Sequence, residues 1–228
     1  MTTTSLSPAA RTGNWSELPP ELLTPILQRG GAFLMLSARK VCKAWHRICS
    51  DPDLWRVLDL RCSGYGYGLP LETMARQAVD LSCGQLVDLT IALWATDRLL
   101  LYISQRSSQL RRLHLISSVN FTYLGLVEVV KRLPLLEELH FHRIFISDKV
   151  IEAAGQCCPQ LKSFKLTSSR KRDQCMRCDE EAEAVAKNMP GLRHLQLIAN
   201  PMYETGLQAI LDNCPHLESL DILLPELY

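Results

Sequence analysis

The sequence predicts an α/β fold, in which a small N-terminal three-helix unit precedes a solenoid of about six to seven strand–helix units in an open arc. Three observations predict it. A phrase with apolar residues at i, i+3 and i+5 occurs as Leu86/Leu89/Ile91, Leu110/Leu113/Leu115, Leu136/Leu139/Phe141, Leu161/Phe164/Leu166, Leu192/Leu195/Leu197 and Leu217/Leu220/Ile222. The phrases start 24, 26, 25, 31 and 25 residues apart, so one structural unit is rebuilt along the chain. Ahead of the phrases the apolar spacing changes to i, i+3, i+4, i+7, one stripe of a helix.

This period, carrying L-x-x-L-x-L, marks a leucine-rich-repeat solenoid. The chain has 228 residues, enough for one large domain or a large one with a small companion. Apolar residues make up 47% of it and the net charge is +1, so no global field argues for nucleic acid or a membrane surface. No uncharged apolar run is long enough to span a bilayer. The first residues hold no apolar stretch of the kind a secretory signal needs. Nine cysteines without a pairing pattern fit reduced thiols in cytoplasm or nucleus.

In chain order, residues 1–13, MTTTSLSPAARTG, read as a disordered tail. Residues 14–56 read as a helical unit. Its first helix is expected over Pro19–Gln28, with Leu22, Leu23, Ile26 and Leu27 as its stripe and Gly30-Gly31 as its end. A second helical segment is expected from Phe33 to Cys49, carrying Leu36, Val41, Cys42, Trp45 and Ile48. A unit this small and apolar is marginal alone and needs a partner or a neighbouring domain to cover it.

Residues 15–55 resemble the F-box, most closely that of plant F-box proteins carrying leucine-rich repeats. The resemblance rests on Leu18-Pro19, Glu21-Leu22, Ile26-Leu27, Val41-Cys42, Trp45 and Leu54-Trp55. It implies docking on a Skp-type adaptor and, through it, on a cullin–RING ubiquitin ligase, with the repeats holding a substrate protein. Leu18, Pro19, Leu22, Ile26, Leu27, Val41, Cys42 and Trp45 are the implied adaptor-binding set, which the box core must partly share. Gly30 stands where the family pattern usually has a leucine, so a repeat-binding scaffold with a degenerate box is the alternative reading. A small-molecule receptor of the hormone-sensing type would need more repeats to close a pocket.

Residues 57–228 read as the solenoid. Trp55/Leu58/Leu60 supplies a first phrase, the Gly64–Gly68 stretch a flexible loop, and Leu71–Leu81 a helix. The expected helix stripes are Leu126/Val129/Val130/Leu133, Ile151/Ala154/Gly155/Cys158, Ala182/Val185/Ala186/Met189 and Leu207/Ile210/Leu211/Cys214. Thr96, Thr122 and Ser147 are placed to cap helix starts. Cys158 and Cys214 resemble the cysteines of repeats common beside F-boxes and read as small buried hydrophobes. The longest unit carries an insertion over 168–178, with Arg170-Lys171-Arg172 and the pair Cys175/Cys178, followed by an acidic helix start that suits the helix dipole.

Alternate residues of a strand face opposite ways. The leucines at i+3 and i+5 therefore enter the core, and residues at i+2, i+4 and i+6 face the concave side. The substrate-binding candidates on that side are Arg112, His114, Glu138, His140, His142, Lys165, His194, Gln196 and Asp221. Histidines there are expected to make binding vary with pH across their titration range. No catalytic motif, metal set or cofactor signature is assigned, and a non-catalytic subunit is expected.

Overall fold

Each leucine phrase forms a short strand, and the strands pair in chain order. The structure, a computed structural model, describes residues 15, 18–61, 70–117, 120–167, 179–200 and 202–223. The strands are β1 (Val57–Leu60), β2 (Asp88–Ala92), β3 (Arg112–Ile116), β4 (Glu138–His142), β5 (Ser163–Thr167), β6 (His194–Ile198) and β7 (Ser219–Leu223). They make one parallel sheet in the order β1-β2-β3-β4-β5-β6-β7. The register aligns the repeat phrases: Leu58, Leu89, Leu113, Leu139, Phe164, Leu195 and Leu220 are successive partners, as are Leu60, Ile91, Leu115, Phe141, Leu166, Leu197 and Ile222.

The intervening helices are α4 (Leu71–Leu81), α5 (Asp97–Arg106), α6 (Tyr123–Val130), α7 (Asp148–Cys157), α8 (Glu180–Asn188) and α9 (Glu204–Asn213). Each packs on the next, because a single strand–helix unit cannot bury its own stripe. The core lies between sheet and helices: Leu126, Val129, Val130, Ile151, Ala154, Val185 and Met189 are buried with the strand leucines. Leu211 departs from its expected place. It is exposed, because its equivalents Val130 and Ala186 turn toward a following helix and α9 is the last helix described. Leu217, Leu220 and Ile222 are half-buried for the same reason.

The turns into the helices are held by side chains. Thr96 Oγ1 accepts from Leu99 N at 3.2 Å, Thr122 Oγ1 from Gly125 N at 3.0 Å, and Ser147 Oγ from Lys149 N at 3.3 Å. Asp97 ties one unit to the next, accepting from Thr122 N and Thr122 Oγ1, both at 2.9 Å. Asp179 does the same for Tyr203 N at 2.7 Å and for Thr205 Oγ1. Gly155 lets α7 and α8 approach closely; a Cβ there would lie 2.2 Å from Asn188 O.

The N-terminal unit has helices α1 (Pro20–Arg29), α2 (Gly31–Ala38) and α3 (Lys43–Ile48), then a 3-10 turn over Pro52–Trp55. The single segment expected over Phe33–Cys49 is thus broken in two. Lys40 N and Val41 N bond back to Ser37 O and Ala38 O at 3.0 Å each. Cys42 is fully extended, and the His46 ring takes the carbonyl that a continuing helix would have used, with Nδ1 3.1 Å from Arg39 O. Gly31 makes the corner between α1 and α2 in the left-handed region, at φ 75°. α2 is mostly apolar, with α1 against one side and β1 and α4 against the other, while Leu34 and Ser37 remain exposed. One continuous core therefore runs from Leu23 and Leu27 through Trp55 into the repeats.

The tail 1–13, the Gly64–Gly68 loop, the 168–178 insertion with Arg170–Arg172 and Cys175/Cys178, and residues 224–228 lie outside the described residues. Among the described residues no helix is long and apolar enough to cross a membrane.

Candidate functional site: the outer face of the box and the open face of the sheet

Two surfaces of this fold are candidates for binding. The first is the outer face of the N-terminal unit. On α1 two i, i+4 pairs lie side by side. Leu23 and Leu27 are buried, whereas Leu22 and Ile26 are 57% and 44% exposed. Val41, put outside by the break after α2, is 62% exposed. α3 contributes no fully buried residue. Trp45 and Cys42 are half-buried, and Trp45 Nε1 donates to Trp15 O at 3.2 Å. Leu18 packs against the core, and Pro19 is exposed. A groove between α1 and α3 is lined by Leu18, Thr24, Ile48 and Leu54.

Of the eight residues expected to meet an adaptor, Leu27 is corrected by this geometry: it is buried and builds the unit's own core. Leu22, Ile26, Val41 and Pro19 turn outward. Trp15 and Leu34, which the sequence reading left out, are also exposed apolar groups on this unit. Leu34 lies over Gly30, where a Cβ would fall 2.0 Å from Leu34 Cδ2.

The second surface is the sheet face opposite the helices. The parallel register brings the predicted residues into three rows. The first is Asp88, Arg112, Glu138, Ser163, His194 and Ser219, and the second Thr90, His114, His140, Lys165, Gln196 and Asp221. His142 lies in the third row, between Ile116 and Thr167. Neighbouring side chains answer one another. Arg112 Nε donates to Asp88 Oδ2 at 2.7 Å, Gln196 Nε2 to Asp221 Oδ2 at 2.6 Å, and His194 Nδ1 lies 2.9 Å from Ser219 Oγ. Asp88 holds the Arg112 guanidinium above its ordinary range. At the strand starts Arg111 and Lys162 both pair with Glu137, whose carboxyl they hold below the usual range.

At the centre His114 and His140 stack, with ring centroids 4.2 Å apart and planes 6° from parallel. Burial drives the His140 imidazole down to about 3, helped by His114 and Lys165. Burial also lowers His114. Both rings are neutral near pH 7, so the expected pH response of the face does not come from this pair. Exposed aromatic and aliphatic groups Tyr123, Leu124, Phe145 and Tyr203 edge the solenoid where strands turn into helices, a feature the repeat phrase itself did not signal.

The F-box-like family model matches residues 15–61, the whole helical unit through β1. The Arabidopsis thaliana F-box protein SKIP19 is 45% identical over 97% of this chain and 74% of its own length. F-box/LRR-repeat protein 9 of the same plant is 42% identical over 92% of this chain and 87% of its own. The chain belongs to the F-box/LRR-repeat proteins. A further member, F-box/LRR-repeat protein 23, is 42% identical, and the match spans 47% of it. Among solved structures, the tropomodulin C-terminal domain of Caenorhabditis elegans superposes with a TM-score of 0.47 and 11% identity, covering 64% of this chain and 92% of that one.

For a family of this kind the repeated register and the box together define the molecule. F-box proteins are generally substrate receptors of SCF ligases, adaptors rather than catalysts. Cys158 and Cys214 serve packing. Both are buried with Sγ against backbone carbonyls of the preceding unit, and burial pushes the Cys158 thiol up to about 12 and raises that of Cys214. Thiols so disfavoured from ionising are poor nucleophiles.

Proposed function

We propose that this chain is the substrate-binding subunit of a cullin–RING ubiquitin ligase. Its F-box docks a Skp-type adaptor, and the open face of its sheet holds a substrate protein for ubiquitination. The mechanism is tethering: holding the substrate beside the charged conjugating enzyme raises the effective concentration of its lysines. No chemistry is required of this subunit. Cytoplasm or nucleus is the compartment we propose for it.

The observation that carries this reading is the exposure of Leu22, Ile26 and Val41 on a unit matching the F-box-like model. Large apolar side chains left in water on so small a unit are the material of an interface, and a few such anchors dominate binding energy. The substrate face is of a different kind: polar, internally paired and close to charge balance, which suits recognition by complementarity.

Co-expression with a Skp-type adaptor tests the docking. The wild-type chain should co-purify stoichiometrically. The double variant Leu22→Glu/Ile26→Glu, altered only at exposed positions, should keep its fold and lose the complex. A soluble, folded wild-type chain that forms no complex would leave the scaffold reading, in which the box with Gly30 no longer docks.

A further inference from the structure

In a parallel sheet with equivalent residues in register, neighbouring strands place like side chains about 4.8 Å apart. His114 on β3 and His140 on β4 are such partners. Glu138, two residues before His140, leans toward both: its Oε2 lies 3.8 Å from His114 Nε2 and 3.9 Å from His140 Nε2. One donor atom from each of the three residues falls within 4.8 Å of the others. His114 Nε2 is buried and has no hydrogen-bond partner, an arrangement that costs free energy in a folded protein and calls for a ligand.

We propose that His114, His140 and Glu138 form a binding site for a divalent transition-metal ion of the zinc class on the open face of the sheet. Two imidazole nitrogens and one carboxylate oxygen are a donor set that suits this class. Bond lengths near 2.0–2.1 Å place tetrahedral donors about 3.3 Å apart, so the carboxylate must close by roughly half an ångström. A glutamate rotamer supplies that movement, and the two rings, stacked 6° from parallel with centroids 4.2 Å apart, must tilt out of the stack so that both nitrogens point at one ion. The Thr90 hydroxyl, 3.5 Å from His114 Nδ1, is placed to fix the ring from its other side, as outer partners of ligating histidines do. Ser163 Oγ, 3.1 Å from His140 Nε2, must turn away.

The charged groups around the site set its strength. Arg112 is engaged by Asp88 at 2.7 Å and so leaves the Glu138 carboxylate available. Lys165, the register partner of His140, opposes a cation. Both imidazoles are held neutral by burial, so no proton has to be displaced at pH 7. Three protein ligands leave a fourth position open, which water or a side chain of a bound protein would complete. The metal would then act as a docking determinant at the middle of the substrate face. The site does not rest on the ligase reading; a scaffold would carry it equally, and the co-purification and the metal experiment fail independently.

Titration of the full chain with Co2+, followed by visible absorption and calorimetry, tests it. The wild type should bind about one equivalent with the visible bands of nitrogen and oxygen ligands. His114→Phe and His140→Phe, which keep the ring stack, should each abolish that site, and Glu138→Gln should weaken it at least about tenfold. Cys175→Ser/Cys178→Ser should leave it intact. In parallel, Zn2+ added to the wild type should shift the imidazole 15N resonances of His114 and His140, a readout that needs no variant to fold. Binding unchanged in His140→Phe, a sulfur-to-cobalt band lost with the cysteines, or unshifted imidazole resonances would overturn the proposal.

Discussion

The box and the solenoid are built from helices of similar length, yet they treat apolar surface oppositely. In the solenoid each helix between two others hides its stripe, as Leu126, Val129 and Val130 do on α6. In the box, α1 hides Leu23 and Leu27 and leaves Leu22 and Ile26 in water, and α3 hides no residue completely. Repetition explains the difference. An inner solenoid unit has a neighbour of matching shape on each side, whereas the box has the solenoid on one side only, through α2 and the Pro52–Trp55 turn. Elsewhere the box leaves Leu22, Ile26 and Val41 exposed along with charged groups such as Glu21, Lys43 and Arg47. The repeats in turn keep their sheet face polar, since no layer lies over it. One chain thus exposes apolar side chains on the box and a polar sheet face on the repeats.

The comparison would break if the box were a separate body. Trp55 is the residue that joins them: it is fully buried, its Nε1 donates to Cys49 O at 3.0 Å, and it starts the first repeat phrase. Trp55→Ala should cost about 3–5 kcal/mol, the range for truncating a buried aromatic. In urea denaturation, probes in the box and in the repeats should show the same shifted transition. Two separate transitions, with only the box destabilised, would mean that the continuous core does not act as one cooperative unit.

A smaller effect sharpens the contrast within α1. Leu27→Ala should cost about 2–5 kcal/mol as a buried truncation, while Leu22→Ala, one helical face away, should change stability by no more than about 0.5 kcal/mol. Thermal denaturation of the two single variants decides this. Equal losses would mean that Leu22 is covered by other parts of the chain in solution and is not available for docking.

How far these surfaces were legible in the sequence follows the same division. The inner repeats were legible residue by residue, because the i, i+3, i+5 phrase fixes which side chains enter the core and the parallel register then brings equivalent positions together, whereas Leu211 in the last described helix was not. The caps Thr96, Thr122 and Ser147 were legible because short polar side chains at helix starts have one common use. The box was legible as a pattern and less so as geometry. Four adjacent apolar residues, Leu22, Leu23, Ile26 and Leu27, form two i, i+4 pairs, and spacing alone does not say which pair faces inward. The break at Arg39–Cys42 was hidden because the stretch from Phe33 to Cys49 holds no glycine or proline to announce it. The pairing of His114 with His140 could be read from the repeat alignment, but the approach of Glu138 to both rings depends on side-chain direction, which spacing does not encode. The titration behaviour was hidden too, since it depends on burial of the face.

The smallest effect expected concerns that titration and separates the polar face from an ordinary solvated one. His140 is held at about 3, against an ordinary 6.5, chiefly because burial disfavours its charged form. Below about pH 6.5 the unfolded chain binds a proton that the folded chain refuses, so stability rises with pH between about 3 and 6.5 and is level above it. At pH 6 the loss from this residue is under about 1 kcal/mol relative to pH 8, and it grows as the pH falls further. His140→Phe should remove this contribution and flatten the acid limb of the stability profile, measured by urea denaturation from pH 8 down to pH 5. A solvated histidine, with the same pKa folded and unfolded, would contribute no slope. If the variant and the wild type lose stability in parallel, the ring is open to water and the face is an ordinary surface; a flatter limb in the variant alone places His140 in a dry setting, which the polar side of the comparison requires.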